Sequence, residues 1–202
     1  MIQEEEKLWK RGYRVVVGLD EAGRGPLAGP VIASAVFIPK KDFFLLKKNE
    51  FVRDSKDLTP KKRKEVFEVL IKSVKWGTGI VSKKTIDRIN IFQATRLAMK
   101  KAIKDFEKKN KLSADFVILD GIMRIDVEPK QKAIIKADKK VLSCSAASII
   151  AKVTRDEIMI KYDKKYPLYN FKKHKGYGTK EHVRKLKKHG RCPIHRKSFK
   201  YA

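Results

Sequence analysis

Three short segments of this chain are apolar almost without a break: Val15–Leu19, Val31–Ile38 and Phe116–Leu119. Each is too short for a buried helix and rich in β-branched residues. None alternates in the way that would leave one face to water. They predict strands covered on both faces, and such strands demand helices layered on either side of a sheet. The intervening sequence supplies those helices. Thr59-Pro60 reads as an N-cap followed by proline in the first helical position, after which Phe67, Leu70, Ile71 and Val74 recur at helical spacing. A longer helix is predicted from about residue 91, with Phe92, Met99, Ala102, Ile103 and Phe106 on one face. A third is predicted over residues 141–162, and its small-residue start (Ser143 to Ser148) suits close approach to a sheet. Lys75–Val81 and Gln131–Ile135 are weaker strand candidates. The expected fold class is α/β, a mixed sheet flanked by helices.

Charge narrows the function. Fifty Lys and Arg against 23 Asp and Glu leave a net charge of +27. Such a surplus repels itself unless a polyanion neutralises it, and nucleic acid is the leading candidate ahead of an anionic membrane surface. From residue 151 onward, 17 Lys and Arg face only 4 Asp and Glu. This region reads as a basic, mainly helical subdomain (151–202) packed on a main domain (1–150), rather than as a free arm. No apolar run approaches the roughly 18–20 residues that cross a membrane. The N-terminal MIQEEEKLWK is too acidic for a signal peptide, and two cysteines make no disulfide framework. A cytoplasmic monomer is expected.

Against this basic background the acids at strand ends stand out. Asp20 and Glu21 follow the first apolar run, Asp120 follows Phe116–Leu119, and Asp138 lies between the weak strand and the small-residue helix start. Either Asp20 or Asp120 alone reads better as a turn or cap residue than as a ligand. Together, at the carboxyl ends of strands in an α/β sheet, they occupy the usual place of a ligand site. Converging carboxylates repel, and oxygen donors without Cys or His select Mg²⁺ or Mn²⁺. The segment after Asp20, EAGRGPLAGP, packs three glycines and two prolines into ten residues. It is either a tight crossover or a loop whose backbone approaches a ligand.

The run DEAGRGPLAGPV resembles the signature of ribonuclease HII, the type 2 ribonuclease H. The likeness continues through Asp54-Ser55-Lys56-Asp57-Leu58, Leu119-Asp120-Gly121, Lys136-Ala137-Asp138, Ser143–Asp156, the HKGYGT run at His174–Thr179, and His195-Arg196-Lys197-Ser198-Phe199. The HKGYGT form is similar to the bacterial branch. The resemblance implies a ribonuclease H-like sheet with a helical C-terminal part. It also implies an endonuclease that cuts on the 5′ side of a ribonucleotide, in RNA–DNA hybrids and in duplex DNA. Asp20, Glu21, Asp120 and Asp138 match the family's four acids, which hold Mg²⁺ or Mn²⁺, two ions with substrate bound. Gly23, Arg24 and Gly25 match the loop that senses the ribose 2′-hydroxyl, and Tyr177 the tyrosine that completes that recognition. Lys56 falls in a phosphate-contacting motif. The stretch Gly121–Val127 matches no family pattern.

Other readings compete. A non-catalytic basic nucleic-acid-binding protein explains the charge but gives no reason for the strand-end acids. Another nuclease on the same fold explains the acids but lacks ribose sensing. Lys185, Lys187 and Lys188 read as phosphate contacts within the basic subdomain. His174, His182 and His189 read as polar surface or phosphate contacts. His189, Cys192 and His195 have a metal-like spacing, but a structural zinc site wants four ligands and no further cysteine is near.

Overall fold

The structure, a computed structural model, describes residues 4–48 and 58–201. Lys56 and most of the DSKDL motif lie outside the described residues. A five-stranded mixed sheet has the order β3-β2-β1-β4-β5, with β1 Val16–Ala22, β2 Val31–Phe37, β3 Lys75–Val81, β4 Phe116–Asp120 and β5 Lys130–Ile134. Strands β1, β2 and β3 form an antiparallel meander, while β4 and β5 run parallel to β1. The expected α/β class is observed.

Side chains alternate across the sheet. Val17 and Leu19 of β1, with Ala33, Ala35, Val117 and Leu119, face a long helix, α4 (Lys83–Asn110). The opposite face packs against α6 (Leu142–Lys165), supported by α2 (Lys40–Lys48) and α3 (Pro60–Ser73). Thr59 caps α3 as expected, its hydroxyl accepting from Lys62 N. The small start of α6 does what its composition predicts. A Cβ built on Gly18 would lie 2.5 Å from Cys144 N and from the Ser143 carbonyl carbon, so only glycine lets this helix seat on β1.

Two boundaries and one helix differ from expectation. Strand β1 runs on through Ala22, so Asp20 and Glu21 stand inside the strand and not after it. The parallel pairing with β4 stops at Leu19 with Leu119, but the antiparallel pairing with β2 continues through Ala22 with Ile32. Helix α4 starts at Lys83, under a Ser82 cap, and breaks at Asn90 (φ 63°, ψ 168°). Its second segment is the helix expected from residue 91, with the Asn90 side chain accepting from Gln93 N. A short N-terminal helix, α1 (Glu4–Lys10), was not foreseen; it buries Leu8 beside Val16, Ile118 and Cys144. Its Glu5 carboxylate accepts from Ser143 N at 2.9 Å and Ser143 Oγ at 2.8 Å, satisfying orphan donors at the start of α6.

The C-terminal part consists of the second half of α6, a 3₁₀ turn (Pro167–Tyr169), α7 (Phe171–His174) and α8 (Lys180–His189). Helix α6 passes unbroken through residues 150 and 151, so the two parts share a rigid element. They differ in core: Met159, Tyr169, Phe171, Leu186 and Ile194 form a separate apolar cluster that also takes in Leu27 and Ala28.

Candidate active site

One end of the sheet brings the acids together. Asp20 and Asp120 belong to neighbouring parallel strands, and strand alternation puts them on the same face, toward α6. Asp120 follows Leu119, the partner of Leu19, so both carboxylates stand one residue beyond the last pair of this ladder. Asp20, only 5% exposed, takes a hydrogen bond from Glu21 N at 2.7 Å and interacts with Ser148 of α6. Asp120 Oδ1 accepts from Gly121 N at 2.9 Å and from Ala137 N at 2.6 Å. This second bond ties β4 to α5 (Ala137–Lys140), the short helix that carries the fully buried Asp138.

Electrostatics at this end is strained. Burial, then the charges of Glu21 and Asp120, push the Asp20 carboxyl well above the usual carboxylate range. Burial also raises Glu21, opposed by the Arg24 guanidinium 3.2 Å away. Glu21 Oε2 is buried and has no hydrogen-bond partner among the described residues. A buried carboxylate oxygen with nothing to bind, beside two like charges, suits a cation in chemistry. Hard oxygen donors of this kind fit Mg²⁺ or Mn²⁺. Among the described residues no three His, Cys, Asp or Glu side chains already form a ready-made metal cluster.

A cavity of about 410 Å³ joins this end of the sheet to the glycine loop and the C-terminal part. Asp20, Glu21 and Asp120 line it together with Gly23, Arg24, Gly25 and Tyr177. Seven of the eight residues assigned to metal and ribose from the sequence therefore share one cavity. The eighth, Asp138, is fully buried and does not line it. Lys185, Lys187 and Lys188 lie on α8, away from this lining. Lys187 and Lys188 are exposed, whereas Lys185 Nζ is 3.4 Å from Glu181. Tyr177 is 42% exposed, with Lys152 Nζ 5.6 Å from its ring centre and Arg155 Cζ at 5.8 Å.

Sequence reasoning missed Arg63, Ser148 and Lys152 in the lining. It also missed two buried arginines that shape the glycine loop. Arg196 donates to the carbonyls of Gly23 (2.6 Å), Arg24 (2.9 Å), Gly29 (3.0 Å) and Pro30 (3.2 Å). Arg155 donates to Pro30 O, Ala28 O and Lys175 O at 3.0–3.1 Å. With the Gly23 and Arg24 carbonyls turned onto Arg196, the planar trans peptides point the amides that follow, of Arg24 and Gly25, the opposite way. Burial, then the neighbouring Arg155, lowers Arg196 to about 9. The surface reading of two histidines is corrected: His174 and His182 are buried, packed ring on ring at 4.4 Å, because the C-terminal cluster needs their flat faces to fill it. His189 is exposed.

The family model for ribonuclease HII matches residues 17–202. A ribonuclease HII of Caldicellulosiruptor bescii is 52% identical over 196 residues, covering 96% of this chain and 91% of that protein. That of Enterococcus faecalis is 48% identical over 200 residues, covering 98% and 74%. Among solved structures, ribonuclease H2 from Pyrococcus horikoshii superposes with a TM-score of 0.72 at 29% identity, covering 91% of this chain and 93% of that one. The likeness to known proteins spans both the acid-bearing sheet and the C-terminal part that closes the cavity, and on it this chain belongs to the ribonuclease HII family and is an endoribonuclease of the ribonuclease H type.

Proposed function

We propose that this endonuclease hydrolyses the phosphodiester 5′ of a ribonucleotide, in RNA–DNA hybrids and at ribonucleotides embedded in duplex DNA, leaving 3′-hydroxyl and 5′-phosphate ends. One observation carries the reading: three of the four acids, Asp20, Glu21 and Asp120, line the same cavity as the candidate sugar-reading residues. Asp20, Glu21, Asp120 and Asp138 would hold Mg²⁺ or Mn²⁺, two ions with substrate bound. Bound divalent cations supply activation of the attacking water and neutralisation of the departing oxygen. The protein's own groups do the rest. The Asp120 carboxylate is fixed through Oδ1 by two backbone amides, so its orientation in the cavity wall needs no rotamer search. Outward amides at Gly23–Gly25 and the Tyr177 hydroxyl read the 2′-hydroxyl, which both donates and accepts. Lys152 and Arg63 on the wall, and Lys185, Lys187 and Lys188 beyond it, neutralise backbone phosphates, as does Lys56 on the family resemblance of its motif.

The main domain, 1–150, would supply the chemistry and the basic part, 151–202, the grip on the duplex; the separate apolar cluster of the C-terminal part supports that division. The protein would act in the cytoplasm as a monomer. Among the described residues no helix is long and apolar enough to cross a membrane.

The test is cleavage of a duplex carrying one ribonucleotide, with Mg²⁺, with Mn²⁺ or with chelator, beside an all-DNA control. Cutting only with metal, only at the ribonucleotide and on its 5′ side is expected. Asp120→Asn should lower turnover by orders of magnitude while duplex binding persists. Cleavage in chelator, or equal cutting of the all-DNA duplex, refutes the proposal.

A further inference from the structure

Two histidines of the C-terminal part, His182 and His195, form a chain with only one consistent set of protons. Cys192 N donates to His195 Nδ1 at 2.9 Å, which requires a lone pair there and places the His195 proton on Nε2. The Cys192 carbonyl, 3.3 Å from the same nitrogen, is then a neighbour and not an acceptor. His195 Nε2 lies 3.0 Å from His182 Nε2, so His195 donates and His182 accepts. The remaining proton of His182 sits on Nδ1 and points at the Tyr177 carbonyl, 2.9 Å away. Thr179 N donates to that same carbonyl at 2.8 Å. His174 is fixed separately, accepting from Gly176 N on Nδ1 and donating from Nε2 to Tyr169 O. No ring nitrogen of His182 or His195 is left for a metal, which disposes of the His189, Cys192, His195 spacing as a zinc site.

This chain ends where the glycine loop is held. Residue 195 bridges Ala28, Arg196 N donates to Leu27 O, Gly29 N donates to Ile194 O, and the Arg196 side chain carries the Gly23 and Arg24 carbonyls. On the other side Leu27 N donates to Gly176 O, next to Tyr177. We propose that His195 and His182 are positioning residues: a directional histidine relay that fixes Tyr177 relative to the Gly23–Gly25 loop by anchoring both to the segment Ile194–Arg196. The inference rests on the reading of Tyr177 and the glycine loop as the sugar sensor. Its function is geometric. The sensor has two halves from distant parts of the chain, and misplacing one by about 1 Å costs on the order of 100-fold in rate.

The first measurement uses the wild-type protein with ¹⁵N-histidine. At neutral pH, His182 should be the Nδ1–H tautomer, and His174 and His195 Nε2–H. Finding His182 as Nε2–H overturns the relay whatever the variants do. The second uses two variants. His182→Gln removes the donor to the Tyr177 carbonyl, whereas His182→Asn retains a donor near the Nδ1 position. On a duplex with one ribonucleotide, His182→Gln should lower the single-turnover rate about 10- to 100-fold with affinity nearly unchanged, and His182→Asn should recover part of it. In a Tyr177→Ala background the His182→Gln effect should disappear. If Tyr177→Ala itself cuts at the wild-type rate, the sugar-sensor reading fails. If Tyr177→Ala is impaired but His182→Gln is silent, or its effect multiplies unchanged with that of Tyr177→Ala, the relay fails and the sensor stands. Should His182→Gln not fold, the tautomer measurement decides alone.

Discussion

Gly23 and Gly25 look equivalent in the sequence, yet the structure assigns them different work, and alanine at each position separates the two. Gly23 has φ +98°, a conformation that costs an L-residue about 1–2 kcal/mol. A Cβ there would overlap Arg155 Nε and come within 2.5 Å of Arg155 Cδ and 2.7 Å of Pro30 O. Arg155 cannot step aside cheaply, because it is buried and donates to three carbonyls. Charge-assisted bonds of that kind contribute about 1.5–3 kcal/mol each. The less costly response is a shift of the loop that sacrifices one bond from Arg196, so strain plus one bond predicts a loss of about 3–5 kcal/mol. A Cβ on Gly25 meets nothing within 4 Å, and its φ is not left-handed. Gly25→Ala should therefore leave stability within about 1 kcal/mol, with a slight gain from a stiffer unfolded chain. Its methyl group stands in the wall of the cavity, where it should slow single-turnover cleavage about 10- to 100-fold. Urea unfolding and cleavage of a duplex with one ribonucleotide, run on both variants, make the comparison. Equal destabilisation by the two substitutions, or a wild-type rate for Gly25→Ala, would refute this division of labour.

Three further outcomes are expected. Asp20→Asn removes a buried, mutually repelled carboxylate, so it should abolish turnover and raise stability at neutral pH by about 0.5–2 kcal/mol. Because the Asp20 pKa is raised in the fold, that gain should fade as pH falls to the ordinary Asp range near 3.9, and its persistence there would contradict the repulsion. Lys185, Lys187 and Lys188 replaced together by Gln should flatten the dependence of log affinity on log salt by about 1–2, less than three full contacts at about 0.9 each because Lys185 is shared with Glu181. An unchanged slope makes these lysines a merely solvated face. Burial lowers His182 and His195 to about 4, so between about pH 6.5 and 4 the unfolded chain binds protons that the fold refuses. Stability should be full above about pH 6.5 and fall progressively as pH drops to 4, by less than two independent histidines would give, because the bonded His182 ring itself lowers His195. The fall should be smaller in His182→Gln, and urea midpoints for the two proteins that decline in parallel would show that the histidines do not drive it.

Local signals carried the reading of the layers. Uninterrupted β-branched runs gave β1, β2 and β4, and Thr59-Pro60 gave the start of α3, because burial on both faces and helix capping are written in adjacent residues. What pairing decides could not be read this way. Strand β1 outlasts its apolar run since β2 continues beside Asp20 and Glu21 after β4 has ended. Helix α1 has too few apolar residues for a clear period, and Leu8 and Glu5 matter only because Cys144 and Ser143 lie beneath them. The acids were legible as strand-end carboxylates in a basic chain. Arg155 and Arg196 were not, for among fifty cations nothing local distinguishes two that turn inward onto carbonyls. Likewise His182 resembled a surface residue in a Lys-rich helix, and only tertiary packing reveals it as buried.

The bonds from Arg196 to the Gly23 and Arg24 carbonyls span 173 and 172 positions of chain. Contacts of such sequence separation form late, because the loop between them must close before they return any energy. During synthesis the sheet can gather its first strands, and Arg155 can take up the Ala28 and Pro30 carbonyls, before residue 196 exists, but the Gly23 and Arg24 carbonyls lack their guanidinium until then. On the proposed function, the nascent chain thus carries its acids before its sugar sensor is finished, and becomes selective only once residue 196 has been added. The reverse holds on partial opening. A fluctuation that frees only the segment near residue 196 releases the glycine loop and Tyr177 together, while the pairing of β1 with β4 persists. On the proposed function, discrimination between ribose and deoxyribose is therefore set to fail before the fold does, and the temperature at which selectivity is lost should lie below that of global unfolding.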